Sequence, residues 1–307
     1  MQRQAMILLA LLQSEEWSDV KMDDKLIRKM FNTSKIPIID FGLGDMSRKA
    51  QRLAGKMSIS GVQPKLSVQL DKKRNLLIPV AEGGEYILKP QVTAFPNIPE
   101  NEQCCMDIAS AMDIDVPLHC LIPLKDGSLA YVVKRFDRIA GEKIPQEDFC
   151  QILGLGTEDK YKGSVEQIGR KLKEISTGYD VQLFFERVVF NFIIGNGDAH
   201  FKNYSVTYKE KEFIRLAPAY DIICSKLVIP DETDSALTIN GKNDKLKKDD
   251  FDRLADYLNV PAKIRYVKFD RKLNLIEAVV KDSRLKADSR QEMIDIIKER
   301  FSRLELL

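Results

Sequence analysis

One change of pattern constrains this chain more than any other feature. Its first half alternates like strands, and its second half repeats like helices. Before about Phe136, short apolar blocks bounded by turn residues predict strands over residues 66–70, 76–80, 86–89, 118–123 and 129–136, with Pro90 stopping the third. One helical pattern interrupts them at residues 100–112, where Cys105, Ile108, Ala109 and Met112 recur at helical spacing. After Gly141 the spacing predicts helices over 147–153, 164–174, 181–194, 248–258, 261–280 and 288–304, with a hairpin over 204–208 and 213–216. A strand block followed by a helix block is the α+β class. The expected division is a helical segment over 1–47, a β-rich N-lobe over 48–138 and a helical C-lobe over 139–307.

Composition narrows the function classes. With 307 residues and 44% hydrophobic usage, a real core is available and disorder is excluded. Five cysteines make a disulfide scaffold untenable and suit a reduced, cytoplasmic setting. The 48 basic and 46 acidic side chains leave a charge of +2, so no global basic field points to direct nucleic-acid binding. The apolar run over 6–12 is far short of a bilayer span, and no small-residue cleavage site follows it. Two histidines and no C-x-x-C argue against a His-rich or structural zinc site.

Residues 194–203, Ile-Gly-Asn-Gly-Asp-Ala-His-Phe-Lys-Asn, carry the strongest chemical signal. They follow an apolar helix and precede a hairpin. Asp198 and Asn203 stand in a D-x-x-x-x-N relation, the spacing of a phosphoryl-transfer loop, where a carboxylate orients an acceptor hydroxyl and an amide oxygen holds Mg²⁺. A polar turn reads the same way locally. Asp221, behind an apolar strand, is either a second metal ligand or a helix cap. Lys89 in an apolar strand suits contact with nucleotide phosphates, or a snorkelling edge residue. Glu102, early in the next helix, is its candidate ion-pair partner. The turn Ser58-Ile59-Ser60-Gly61-Val62-Gln63-Pro64-Lys65 lacks the Walker A and G-x-G-x-x-G spacings, yet its small residues could lay backbone N–H groups on phosphates.

Together these stretches resemble the HipA-like serine/threonine kinases, the toxins of bacterial toxin–antitoxin modules. The resemblance rests on residues 58–65, Tyr86-Ile87-Leu88-Lys89-Pro90, Val133-Lys134-Arg135-Phe136-Asp137-Arg138, Gln146-Glu147-Asp148-Phe149, residues 197–203 and Ala219-Tyr220-Asp221. It implies a two-lobed, protein-kinase-like fold that uses ATP and Mg²⁺. By this likeness Asp198 is the catalytic acid, Lys89 the phosphate-binding lysine, and Asn203 and Asp221 the metal ligands. Lys134 to Phe136 would form the adenine hinge, with His200 and Lys202 also in the nucleotide set. Ser58, Ile59, Ser60, Gly61, Val62, Gln63 and Lys65 would form the Gly-rich loop, with Ser58 and Ser60 as autophosphorylation sites. That loop begins early, which resembles the short HipT type lacking an N-terminal subdomain. The implied partners are an antitoxin, a small HipS-like protein, and a translation-related substrate such as an aminoacyl-tRNA synthetase. Two other readings remain: a small-molecule kinase of the aminoglycoside or choline type, and a nucleotide-binding regulatory module without turnover.

Overall fold

The computed structural model describes residues 24–45, 64–139, 141–210 and 213–307. Residues 58–63, which carry most of the expected Gly-rich loop, lie outside them, as do residues 1–23 and 46–47 of the segment expected to be helical over 1–47. The chain divides into two compact units. The first holds residues up to Val92 together with Leu118–Arg135, and the second holds Thr93–Pro117 and Phe136–Leu307.

The first unit is a five-stranded antiparallel sheet with strand order β2-β1-β3-β5-β4. Its strands are β1 (Leu66–Asp71), β2 (Leu76–Pro79), β3 (Tyr86–Pro90), β4 (His119–Pro123) and β5 (Leu129–Lys134). Burial alternates along β1, so one face packs on the core and the other does not. Helix α1 (Asp24–Phe31) covers the buried face with Ile27, Met30 and Phe31, which fall on one side of a helix. These join Leu66, Val68, Leu77, Tyr86, Leu88 and Val132 in one apolar cluster. Tyr86 ties helix to sheet, since its hydroxyl donates to Met30 O at 2.9 Å and its ring lies 5.0 Å from Phe31. The described part of the N-terminal segment is thus built into the sheet unit.

The second unit contains α2 (Ile98–Ala111), a small hairpin of β6 (Arg138–Ile139) and β7 (Glu142–Lys143), and β8 (Gln146–Asp148). There follow α3 (Phe149–Ile152), α4 (Val165–Ile175), α5 (Gly178–Ile193), β9 (Ser205–Glu210), β10 (Phe213–Leu216), α6 (Lys248–Leu258), α7 (Leu273–Asp282) and α8 (Ala287–Arg303). Helix α2, expected within the N-lobe, belongs here because it packs on α7 and because Asn101 bonds both the N–H and the C=O of Cys224.

Two predicted helices take another form. Residues 146–148 pair with β9 to make a three-stranded sheet, and the helix begins only after Asp148, which caps it through Gln151. The run expected over 261–280 breaks into a short 3-10 turn, Ala262–Ile264, and α7, with Arg271 in the left-handed region at φ 54° between them.

Candidate active site

Helix α5 builds the site from below. Thr177 caps its start by accepting from Asp180 N, and its body is buried nearly all round. Gly195, at φ +71°, ends it; a side chain there would be strained and pressed against Ile296 and Lys226. The following turn is then fixed by buried polar groups. Asn191 donates to Tyr204 Oη at 3.0 Å and accepts from Asn196 Nδ2 at 3.0 Å. Asn196 Oδ1 in turn accepts from Asp198 N at 3.3 Å. Ser225 Oγ accepts from Gly197 N at 2.8 Å and donates to Glu232. Gly197 is required here, because a Cβ would fall 2.5 Å from both Glu232 Oε2 and Thr233 O.

Asp198 is half-buried at the head of this turn. Its Oδ1 accepts from Tyr161 Oη at 2.7 Å. Asn203 closes the turn: its Oδ1 accepts from His200 N at 3.0 Å, and its own N donates to His200 O at 2.9 Å. His200 is buried, packs edge-on to Tyr161 at 5.0 Å, and its Nδ1 has no hydrogen-bond partner among the described residues. Burial lowers its pKa, with the charge of Asp198 opposing, so the imidazole is held neutral at physiological pH. Burial also raises the carboxyl of Glu232, and Asp198 raises it further.

The segment after β10 is brought to the same turn. Arg187, buried on α5, donates to Ala217 O at 2.8 Å, and Ala219 N donates to Asp115 O at 2.7 Å. Tyr220 Oη donates to Lys202 O at 3.0 Å, which places the Tyr220–Asp221 step beside the Asp198–Asn203 turn. Asp221 itself adopts φ 55°. An Asn amide oxygen and an Asp carboxylate are hard oxygen donors. Mg²⁺ commonly takes one or two such protein ligands and completes its shell with phosphates and water, so this pair fits it.

The remaining predicted residues are placed as follows. Lys89 is buried in the first unit, its Nζ 5.5 Å from the ring centre of Tyr131, the residue paired with it across β3 and β5. Lys134 ends β5, with its Nζ 3.3 Å from Lys29 O, and Lys65 sits half-buried before β1. Phe136 and Glu102 belong to the second unit, Phe136 lying 5.7 Å from the Tyr220 ring. Lys202 pairs with Asp148 at 2.6 Å, so its ammonium braces β8 against the turn. Tyr161, Ser225, Asn191 and Glu232 join the turn only through the folded structure, and no sequence motif marks them. Asn191 is one of several polar residues, with Asp180, Glu186 and Arg187, in a mostly apolar helix.

Comparison with known proteins places the fold and turn in a family. Residues 57–297 match the model of the HipA-like C-terminal domain. The chain belongs to the HipA-like kinase family. It is 37% identical over 224 residues to the protein named "Putative kinase Y4dM" of Sinorhizobium fredii; the match covers 67% of this chain and 55% of that one. It is 26% identical over 212 residues to the serine/threonine-protein kinase toxin HipA of Shewanella oneidensis, covering 62% of this chain and 49% of HipA. The solved Shewanella oneidensis HipA, determined with HipB and operator DNA, superposes with a TM-score of 0.65 at 21% identity, over 81% of this chain and 65% of that one. The chain spans about half the length of the curated relatives it matches. No helix among the described residues is long and apolar enough to cross a membrane.

Proposed function

We propose that this chain is an ATP- and Mg²⁺-dependent protein serine/threonine kinase. One observation carries the reading. The buried polar network fixes Asp198 with one carboxylate oxygen bonded to Tyr161, in a turn that also presents Asn203 and meets the Tyr220–Asp221 step. That is the donor set phosphoryl transfer needs: a carboxylate for the acceptor hydroxyl and two oxygens for the metal. The family, and the names of its kinase members, support the same reaction class.

In this mechanism Asp198 orients the acceptor hydroxyl and takes its proton as the new O–P bond forms. The bond from the γ-phosphorus to the bridging oxygen of ADP breaks. Asn203 and Asp221 would hold Mg²⁺, which neutralises phosphate charge when bound. Lys89 binds phosphate oxygens, and Lys134 to Phe136 hold the adenine. Catalysis is then positioning and charge neutralisation. Ser58 and Ser60 are the self-acceptors; a phosphoserine there adds close to two negative charges and weakens nucleotide binding. An antitoxin partner follows the HipB-bound relative, and a translation-related protein such as an aminoacyl-tRNA synthetase is the outside acceptor.

Incubation with labelled ATP and Mg²⁺ tests this. Protein serine should carry label, and Asp198→Ala should transfer about 10²–10⁴-fold more slowly. Equal labelling of the variant, transfer to small molecules only, or ATP binding with no transfer contradicts the proposal.

A further inference from the structure

Core packing does not account for the placement of Tyr161 in the second unit. The residue is 47% exposed, so it contributes little to the core. It nevertheless points its hydroxyl at Asp198 Oδ1 with a 2.7 Å bond. Asp198 makes no side-chain bond with any other described residue, which leaves Oδ2 for another donor.

The ring is held in this pose from several directions. His200 packs against it edge-on at 5.0 Å, and the Lys160 ammonium lies 4.8 Å from its centre. The loop itself is tied to the turn that carries Asp198. Phe201 N donates to Lys160 O at 3.2 Å, and Gly163 lies so close to the Phe201 ring that a Cβ there would fall 2.4 Å from Cζ. Burial raises the pKa of the Tyr161 phenol, and the hydrogen bond to Asp198 raises it further. The hydroxyl therefore stays protonated and is a permanent donor.

A carboxylate on a single χ2 rotor swings freely unless one oxygen is pinned. With Oδ1 pinned, Oδ2 keeps one direction, and only a hydroxyl delivered along that direction can bond it. We propose that Tyr161 is a positioning residue for Asp198: it holds Oδ1 so that Oδ2 alone meets the acceptor hydroxyl. This role rests on the kinase reading above. The opposite role, a tyrosine that competes with the acceptor for the base, predicts the opposite sign on removal of the hydroxyl.

Two measurements on the full chain decide it. The first is steady-state phosphate transfer by Tyr161→Phe and Tyr161→Ala. Tyr161→Phe keeps the ring and its packing, so a merely structural tyrosine leaves it at the wild-type rate. A positioning role instead lowers kcat about tenfold, the scale of one lost oriented bond to a charged group, with the KM for ATP unchanged. A Phe variant equal to or faster than wild type overturns the role. The second is the fluorine resonance of fluorotyrosine placed at 161, which needs no turnover. It should move in Asp198→Ala; an unmoved resonance overturns the contact itself. Absence of transfer by wild type overturns the kinase reading and the role together, and is distinct from a slow wild type matched by its Phe variant.

Discussion

The sheet unit and the turn that carries Asp198 are each fixed by a different kind of interaction. The sheet unit rests on a continuous apolar cluster running from α1 through β1, β3 and β5. The turn that carries Asp198 rests on buried polar groups: Asn191, Asn196 and Ser225 around the turn itself. Behind it, Arg300 and Arg303 converge on Asp234 and lie 4.7 and 5.0 Å from the Phe192 ring of α5. An apolar cluster tolerates exchange of one hydrocarbon for another of similar volume. A buried polar network tolerates the loss of no member, because each leaves a partner desolvated and unpaired. The chain uses the forgiving method to make a platform and the unforgiving one to aim a side chain.

Three changes break or sharpen this contrast. The largest is Asp234→Ala, which leaves Arg300 buried without its carboxylate and should destabilise the second unit by about 3–5 kcal/mol. Urea unfolding measures it, and a loss below about 1 kcal/mol, the scale of an exposed pair, contradicts the polar half of the comparison. Next is Leu88→Ala in the centre of the first unit's core, expected to cost about 2–5 kcal/mol through a cavity, while Leu88→Met costs less than about 1.5 kcal/mol. Similar losses for both would mean that this core is as intolerant as the turn.

The smallest effect is on pH dependence. Burial pushes the Asp234 carboxyl up, but bonds from Arg303, Leu246 N and Arg300 outweigh it and hold the pKa below the ordinary carboxylate value. A depressed native pKa stabilises fully above the unfolded value of about 3.9, and this contribution is lost as pH falls through the native value. Acid should therefore cost wild type more stability than it costs Asp234→Asn. Equal acid sensitivity removes Asp234 as a source.

The contrast also explains how far the sequence could be read. Strands β1 to β5 and helix α6 were legible because alternation and helical spacing are local, and the first unit is built from local patterns. Residues 147–148 misled for the same reason: they begin a helical spacing over 147–153, but pairing with β9 more than fifty residues on decides their form. At the candidate site, Asp198, Asn203 and Asp221 are singled out by the residue types and the one spacing that the proposed phosphoryl transfer requires. Tyr161 reaches Asp198 across 37 residues, and Ser225 reaches Gly197 across 28. Neither bond writes a periodicity, so neither partner was visible until the chain was folded.

In the proposed reaction the turn from Gly195 to Asn203 transfers phosphate. Peptide mass spectrometry of the purified protein, made as wild type and as Asp198→Ala, tests it most directly. Wild type incubated with ATP and Mg²⁺ should carry a phosphate at Ser58 or Ser60, and the variant none. Phosphate at the same serines in folded Asp198→Ala would contradict it.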